Sequence, residues 1–183
     1  NGIVTAAMIS SAGISRGSLK YLADTGRLDQ VSRGVYTLPE VWEDEFVSIQ
    51  ERYKRGVFAL DTALFLHDLT DRTPHKFHMA FPYGYNTSSP KAAGILCSCK
   101  KEPYYSLGIA LVDTPAGNTV RAYNAEKTLC EILKPISHTD IQIITDAFKR
   151  YAGRKDKNIP LLSEYAHQLR VEKRLRPYLE ILL

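Results

Sequence analysis

The opening 40 residues limit what this chain can fold into more than any other stretch. Thr5 stands where its hydroxyl can accept from the orphan amides of a first helix over residues 6–12. Gly13 suits the left-handed position just past that helix. Ser15 can cap a second helix over residues 16–24, closed by Thr25-Gly26. Leu19, Leu22 and Ala23 recur there at helical spacing and face inward, leaving Arg16, Gly17, Lys20, Tyr21 and Asp24 on the opposite arc. Two short β-prone runs follow, residues 28–32 and 35–38, about the tight turn Arg33-Gly34, with Pro39 as a stop. A Thr-(seven residues)-Gly-Ile-Ser-Arg spacing, then a helix, then a hairpin, is the pattern of a winged helix-turn-helix. Such a domain needs an earlier helix to close its core. The chain opens at Asn1 without Met, so an upstream element is expected.

Beyond Pro39 the pattern changes. A helix is expected over residues 42–54, led by Glu43, Asp44 and Glu45, which favour a helix N-terminus, and broken by Gly56. A second covers residues 61–68. Residues 76–81 read as a strand and 82–90 as a loop rich in Gly, Asn, Ser and Tyr. Residues 104–114 and 119–123 form a hairpin about Pro115-Ala116-Gly117-Asn118. Asn124 can cap a helix to residue 133, although Lys127 three places on leaves the capping box incomplete. Three helical stretches close the chain, over 139–151, 160–170 and 171–183, and Pro177 should kink or split the last. The expected fold is therefore α+β: an N-terminal winged helix-turn-helix over residues 1–40, then a mixed α/β C-terminal domain over 41–183 with a helical tail.

With 183 residues, 44% hydrophobic and 24% charged, the composition is that of an ordinary folded domain or two small ones. No apolar stretch approaches the roughly 20 residues of a membrane span, and no signal-peptide pattern is seen. Three cysteines (Cys97, Cys99, Cys130) are too few and too unevenly placed for a disulfide framework, which points to the reducing cytoplasm. The formal net charge is +4, and the surplus sits at the end of the chain, where Lys149, Arg150, Arg154, Lys155, Lys157, Arg170, Lys173, Arg174 and Arg176 face only four acids. Such a basic end on a near-neutral body suits an acidic partner, with phosphate or protein contacts, and equally suits a solvated helix face.

The residue types in the first 40 positions point to double-stranded DNA. A recognition helix sets a polar face in the major groove, its N-terminal residues nearest the base edges. Arg16 can fork onto guanine acceptors. Lys20 lies one turn on, Ser15 and Ser18 can reach phosphates or bases, and Tyr21 can pack on the backbone. Arg33 at the hairpin tip and Arg27 at its base are placed for the neighbouring groove or phosphates. Modules of this shape also serve protein contacts.

Enzymatic chemistry finds little foothold. Cys97-Ser-Cys99 has the wrong spacing for most zinc pairs and no second pair, and His75-Lys-Phe-His78 is unsupported in the same way, so no metal and no cofactor are expected. No phosphate loop and no GxGxxG is present. A nucleotidyltransferase reading from Gly17-Ser18 fails because Asp29-Gln30-Val31 supplies one acid only. A metal-dependent nuclease can be built only from Asp113, Glu126 and Lys127, and the last two are adjacent, so they diverge on either a helix or a strand.

Several further motifs, in order, resemble the AbiEi family of antitoxins: Ala12-Gly-Ile-Ser15, Leu19, Leu22, Gly26-Arg-Leu28, Arg33-Gly-Val-Tyr36, Thr62-Ala-Leu-Phe-Leu-His-Asp-Leu69 with Thr70-Asp-Arg72, and Tyr123-Asn-Ala-Glu-Lys-Thr-Leu129. The markers run through about residues 2–135, and the helical tail matches more loosely. The resemblance implies the antitoxin of a bacterial abortive-infection system of type IV, countering a nucleotidyltransferase-like toxin without a stable complex. It also implies an autorepressor that binds inverted repeats in its own promoter through a winged helix, with Arg16, Ser18, Lys20, Arg27 and Arg33 in the DNA-facing part and no catalytic activity. Two other classes remain open: a winged-helix protein with a divergent nuclease domain, and a ligand-sensing transcriptional regulator.

Overall fold

The computed structural model describes residues 3–38 and 44–182. Its chain packs as two units: residues 1–54 with 113–120, and residues 55–112 with 121–183.

In the first unit β1 (Ile3–Thr5) leads directly into α1 (Ala6–Ser11), and α2 (Arg16–Asp24) follows. The hairpin strands β2 (Asp29–Ser32) and β3 (Val35–Thr37) come next, then α3 (Glu45–Arg52). The helix, helix, hairpin order expected here is present. Strand β1 was not expected. It pairs antiparallel with β3, Val4 opposite Tyr36, and places β3 in the middle of a three-stranded sheet. Three residues are too few to show alternation, so pairing with β3 rather than local pattern makes this strand. The hairpin carries a bulge between Gln30 and Ser32, and Gly34 closes the turn at φ +83°, a backbone state that glycine reaches without strain. Ile9, Leu19, Leu28 and Tyr36 form the small core, with Val4, Ala6, Leu22 and Ala23 at its edge. The predicted helix over 42–54 is α3, capped by Asp44; Trp42, Glu43 and the Pro39 stop lie outside the described residues.

The second unit holds β4 (Val57–Phe58), α4 (Leu60–Leu66), β5 (His78–Pro82), α5 (Ser88–Ala92), β6 (Leu96–Lys100), β7 (Ile109–Asp113) and β8 (Thr119–Tyr123). Helices α6 (Ala125–Ile132), α7 (Ile141–Ala152), α8 (Ile159–Gln168) and α9 (Glu172–Leu182) complete it. The sheet order is β6-β5-β4-β8-β7, with the 113–120 turn between β7 and β8 packed in the first unit. Strands β5 and β6 run parallel around the α5 crossover, while β4 runs antiparallel to β5 and parallel to β8. The whole is mixed α+β.

Three expectations need correction. The stretch read as a loop over 82–90 runs into the helix α5. Cys97-Ser-Cys99, for which no element was expected, lies in the edge strand β6. The strand expected from residue 104 starts only at Ile109, because residues 102–108 are turns. Pro177 does not split α9. It is the sixth of the helix's eleven residues, where the lost amide removes one bond and the helix runs on to Leu182.

Helix α6 is the centre of the second unit. Every one of its residues from Ala125 to Ile132 is buried, and α4, α7 and α8 pack against it. Leu129, Cys130 and Ile132 join Leu64, Phe148, Tyr151 and Leu162 in the main core. Its polar side chains are inside as well. Glu126 accepts a hydrogen bond from the Tyr151 hydroxyl at 2.7 Å. The fully buried Lys127 donates to the carbonyls of Tyr104 (2.7 Å) and Leu107 (3.2 Å) and lies 4.1 Å from the Tyr123 ring centroid. Glu131 Oε1 is ion-paired with Lys100 at 2.7 Å and with Lys127 at 3.4 Å. Burial drives the Lys127 pKa down to about 8, against the upward pull of Glu131. Gly108 makes room for this network: at φ +70° a Cβ there would stand 2.9 Å from Lys127 Cβ.

Candidate nucleic-acid interface

The geometry of α2 follows from its two faces. Thr5 caps α1 by accepting from Met8 N at 3.2 Å, and the chain then turns through Gly13 at φ +72°. Ser15 caps α2 by accepting from Gly17 N at 3.3 Å. Leu19, only 3% exposed, anchors the helix in the core with Leu22 and Ala23 beside it. A helix held by that stripe must turn its other arc to solvent. Arg16, Ser18, Lys20 and Tyr21 are all exposed, Tyr21 at 67%.

Arg16 is not a free arm. Its Nε donates to Ser10 Oγ at 3.1 Å, which ties the start of α2 to α1, while the residue stays exposed. A guanidinium held this way loses less rotamer freedom when it forks onto an acceptor pair. Arg33, in the β2–β3 turn, and Arg27, just past α2, are exposed too. The turn is fixed to the start of α1 by Ala6 N donating to Gly34 O at 2.8 Å. Among the described residues none of Arg16, Lys20, Arg27 and Arg33 is ion-paired, and residues 3–38 contain only Asp24 and Asp29 as acids. Uncompensated cations on a surface raise the local concentration of phosphates.

The basic residues of the tail are placed differently. Arg150 pairs with Asp71 at 3.2 Å. Arg154 grips Asp156 through two bonds (2.9 and 2.7 Å) and donates to His67 O at 2.7 Å. Lys157 donates to Ala152 O at 2.6 Å, near the C-terminal end of α7, and Arg174 to Leu133 O at 3.0 Å. Four of the nine cations thus have internal partners, as expected for groups beside helix ends and turns. Lys149, Lys155, Arg170, Lys173 and Arg176 are exposed. Of the groups weighed for a nuclease, Glu126 is taken by Tyr151 and Lys127 by two carbonyls. The buried network around Lys127 and Glu131 was missed in the sequence, where Lys and Glu on a helix read as a solvated face.

No curated protein matches the chain. A crystal structure of the RV2827C protein from Mycobacterium tuberculosis is similar at TM-score 0.55 and 15% identity, covering 100% of this chain and 76% of that one. At this identity the likeness is one of fold. The resemblance to AbiEi antitoxins is matched, over residues 1–39, by the family model described as transcriptional regulator, AbiEi antitoxin.

Proposed function

We propose that the N-terminal unit is a winged helix-turn-helix and that the protein is a DNA-binding, non-enzymatic transcriptional autorepressor and antitoxin of a type IV toxin–antitoxin system. The observation that carries this reading is the outward arc of α2, with Arg16, Ser18, Lys20 and Tyr21 exposed around a buried Leu19, in the segment that matches the AbiEi regulator model. In this reading α2 enters the major groove, with Arg16 nearest the base edges, while Arg33 on the hairpin and Arg27 reach phosphates alongside. Inverted repeats in the promoter call for two protomers, one per half-site. The exposed tail cations add phosphate or partner contacts without sequence information. The cognate toxin is nucleotidyltransferase-like and is countered in the cytoplasm without a stable complex.

Fluorescence anisotropy of the full-length protein on its own upstream promoter, against scrambled DNA and across salt concentrations, tests the proposal. Preference for the promoter, lost when either half of a repeat is scrambled, is the expected result. Equal and steeply salt-sensitive binding to both would reduce the interface to a basic surface. No binding would move the unit to protein contacts.

A further inference from the structure

The second unit contains a cavity of about 610 Å3 between β6 and the end of α6. Ser98 and Glu131 line it, and both present buried oxygens with nothing to bond. Glu131 is 2% exposed, and its Oε2 has no hydrogen-bond partner among the described residues; the same holds for Ser98 Oγ. A buried carboxylate oxygen without a donor is costly, and an ionised carboxylate can only accept. An occupant of the cavity therefore has to bring an N–H or O–H group to Glu131, while the Ser98 hydroxyl can serve it as donor or acceptor.

The rest of the lining asks for the opposite charge. Lys100, Lys101 and Lys134 border the same space. Lys100 is committed to Glu131, and Lys101 lies 4.9 Å from the Tyr83 ring centroid, but neither Lys101 nor Lys134 is ion-paired among the described residues. Lysines at such a mouth hold a phosphate or another compact anion as point charges. Tyr104 (40% exposed) and Ile136 (81% exposed) line the same space and offer flat and apolar surface on which a ring can stack. The volume falls within the range of small-molecule sites.

We propose that this cavity binds a nucleoside phosphate: base donors on Glu131 Oε2 and Ser98 Oγ, the ring against Tyr104 and Ile136, and the phosphate on Lys101 and Lys134. The site lies wholly within the second unit and does not depend on the DNA-binding reading of the first.

Isothermal titration calorimetry of the full chain without DNA tests it, using AMP, GMP, CMP and UMP, the four matching nucleosides, and inorganic phosphate. At least one nucleoside monophosphate should bind at one site, at least about tenfold more tightly than its nucleoside or phosphate alone. Ser98→Ala and Lys134→Ala should each weaken that binding by about tenfold, while Lys76→Ala, at an exposed position in the same unit but outside the lining, leaves it unchanged. Circular dichroism checks that each variant is folded, and Lys101→Ala stands in for either that is not. Absence of binding by all four at millimolar concentration overturns the proposal. So does binding that survives both lining variants, or phosphate binding as tightly as any nucleotide. Because promoter binding is measured separately, failure here leaves the repressor reading intact, and the reverse also holds.

Discussion

Arg16 sits at the meeting point of structure and proposed recognition. Its Nε–Ser10 bond fixes where the guanidinium points, so truncation removes a pre-set group and not a floppy one. Arg16→Ala should cost about 1–3 kcal/mol on the promoter and relax base preference, with little change on scrambled DNA. Unchanged promoter affinity in the anisotropy assay would mean that α2 is not the reading helix. Lys127 presents a different kind of residue, a buried cation satisfied by two carbonyls, a ring and Glu131. Lys127→Met keeps the length but strips Glu131 of one partner and leaves the carbonyls of Tyr104 and Leu107 without their donor. A loss of about 3 kcal/mol in urea unfolding is expected, as when one half of a buried pair is removed. His78 responds to pH. Burial and, after it, Lys100 push its pKa down to about 4, against the pull of Glu131, and burial lowers His67 as well. An unfolded chain protonates its imidazoles near 6.5, well above the folded value, so it binds more protons than the folded one between those values. The stability that these imidazoles contribute should therefore fall as the pH drops from about 6.5 towards about 4 and be level above that window. His78→Gln should flatten this slope in urea titrations, and an unaltered slope would remove His78 as the cause.

Among the elements, α3 depends on its cap. Asp44 is 5% exposed and accepts from Phe46 N (3.0 Å), Val47 N (3.4 Å), Thr114 Oγ1 and Asn118 Nδ2 (3.0 Å). One carboxylate thus caps a helix and pins the 113–120 turn within the first unit. Asp44→Ala removes the cap and leaves buried donors from both segments unpaired, and a loss of about 3 kcal/mol in urea unfolding should follow. Asp44→Asn, which keeps an acceptor oxygen, should recover part of it. Equal stability of the alanine variant and the parent would show that the cap is dispensable. Helix α6 shows why element type is easier to read than element environment. Asn124 marked its start, and its side chain does accept from Lys127 N at 2.9 Å. Nothing local said that all its faces would be covered.

Across the whole molecule, the two units differ in the size of their cores. The first rests on Ile9, Leu19, Leu28 and Tyr36 with a few edge contacts, while the second gathers α4, α6, α7, α8 and α9 around Leu129, Phe148, Tyr151 and Leu162. Less buried apolar surface means a lower free energy of local opening. Hydrogen exchange should accordingly be faster for the amides of α1, α2 and β3 than for those of α6 and β5. Protection that is uniform across both would indicate a single cooperative unit.

What the sequence by itself determined is what neighbouring residues decide. The caps Thr5, Ser15 and Asn124, the Leu19 stripe and the turn at Arg33-Gly34 rest on contacts a few positions apart, so they were legible before any fold was known. Their outward residues followed, since a helix with one apolar stripe has only one other face to show. The AbiEi motifs within residues 1–39 were legible in the same way. The tertiary structure decided whatever depends on distant partners. Strand β1 exists because β3 lies beside it, and β6 because β5 does. Asp44 is buried because Thr114 and Asn118 come to it across some 70 positions of sequence. Above all, Glu126, Lys127 and Glu131 look like a solvated helix face and are instead the polar centre of a core. A charge is tolerated inside only where opposite charges and carbonyls converge on it, and that convergence is a property of the packed chain alone.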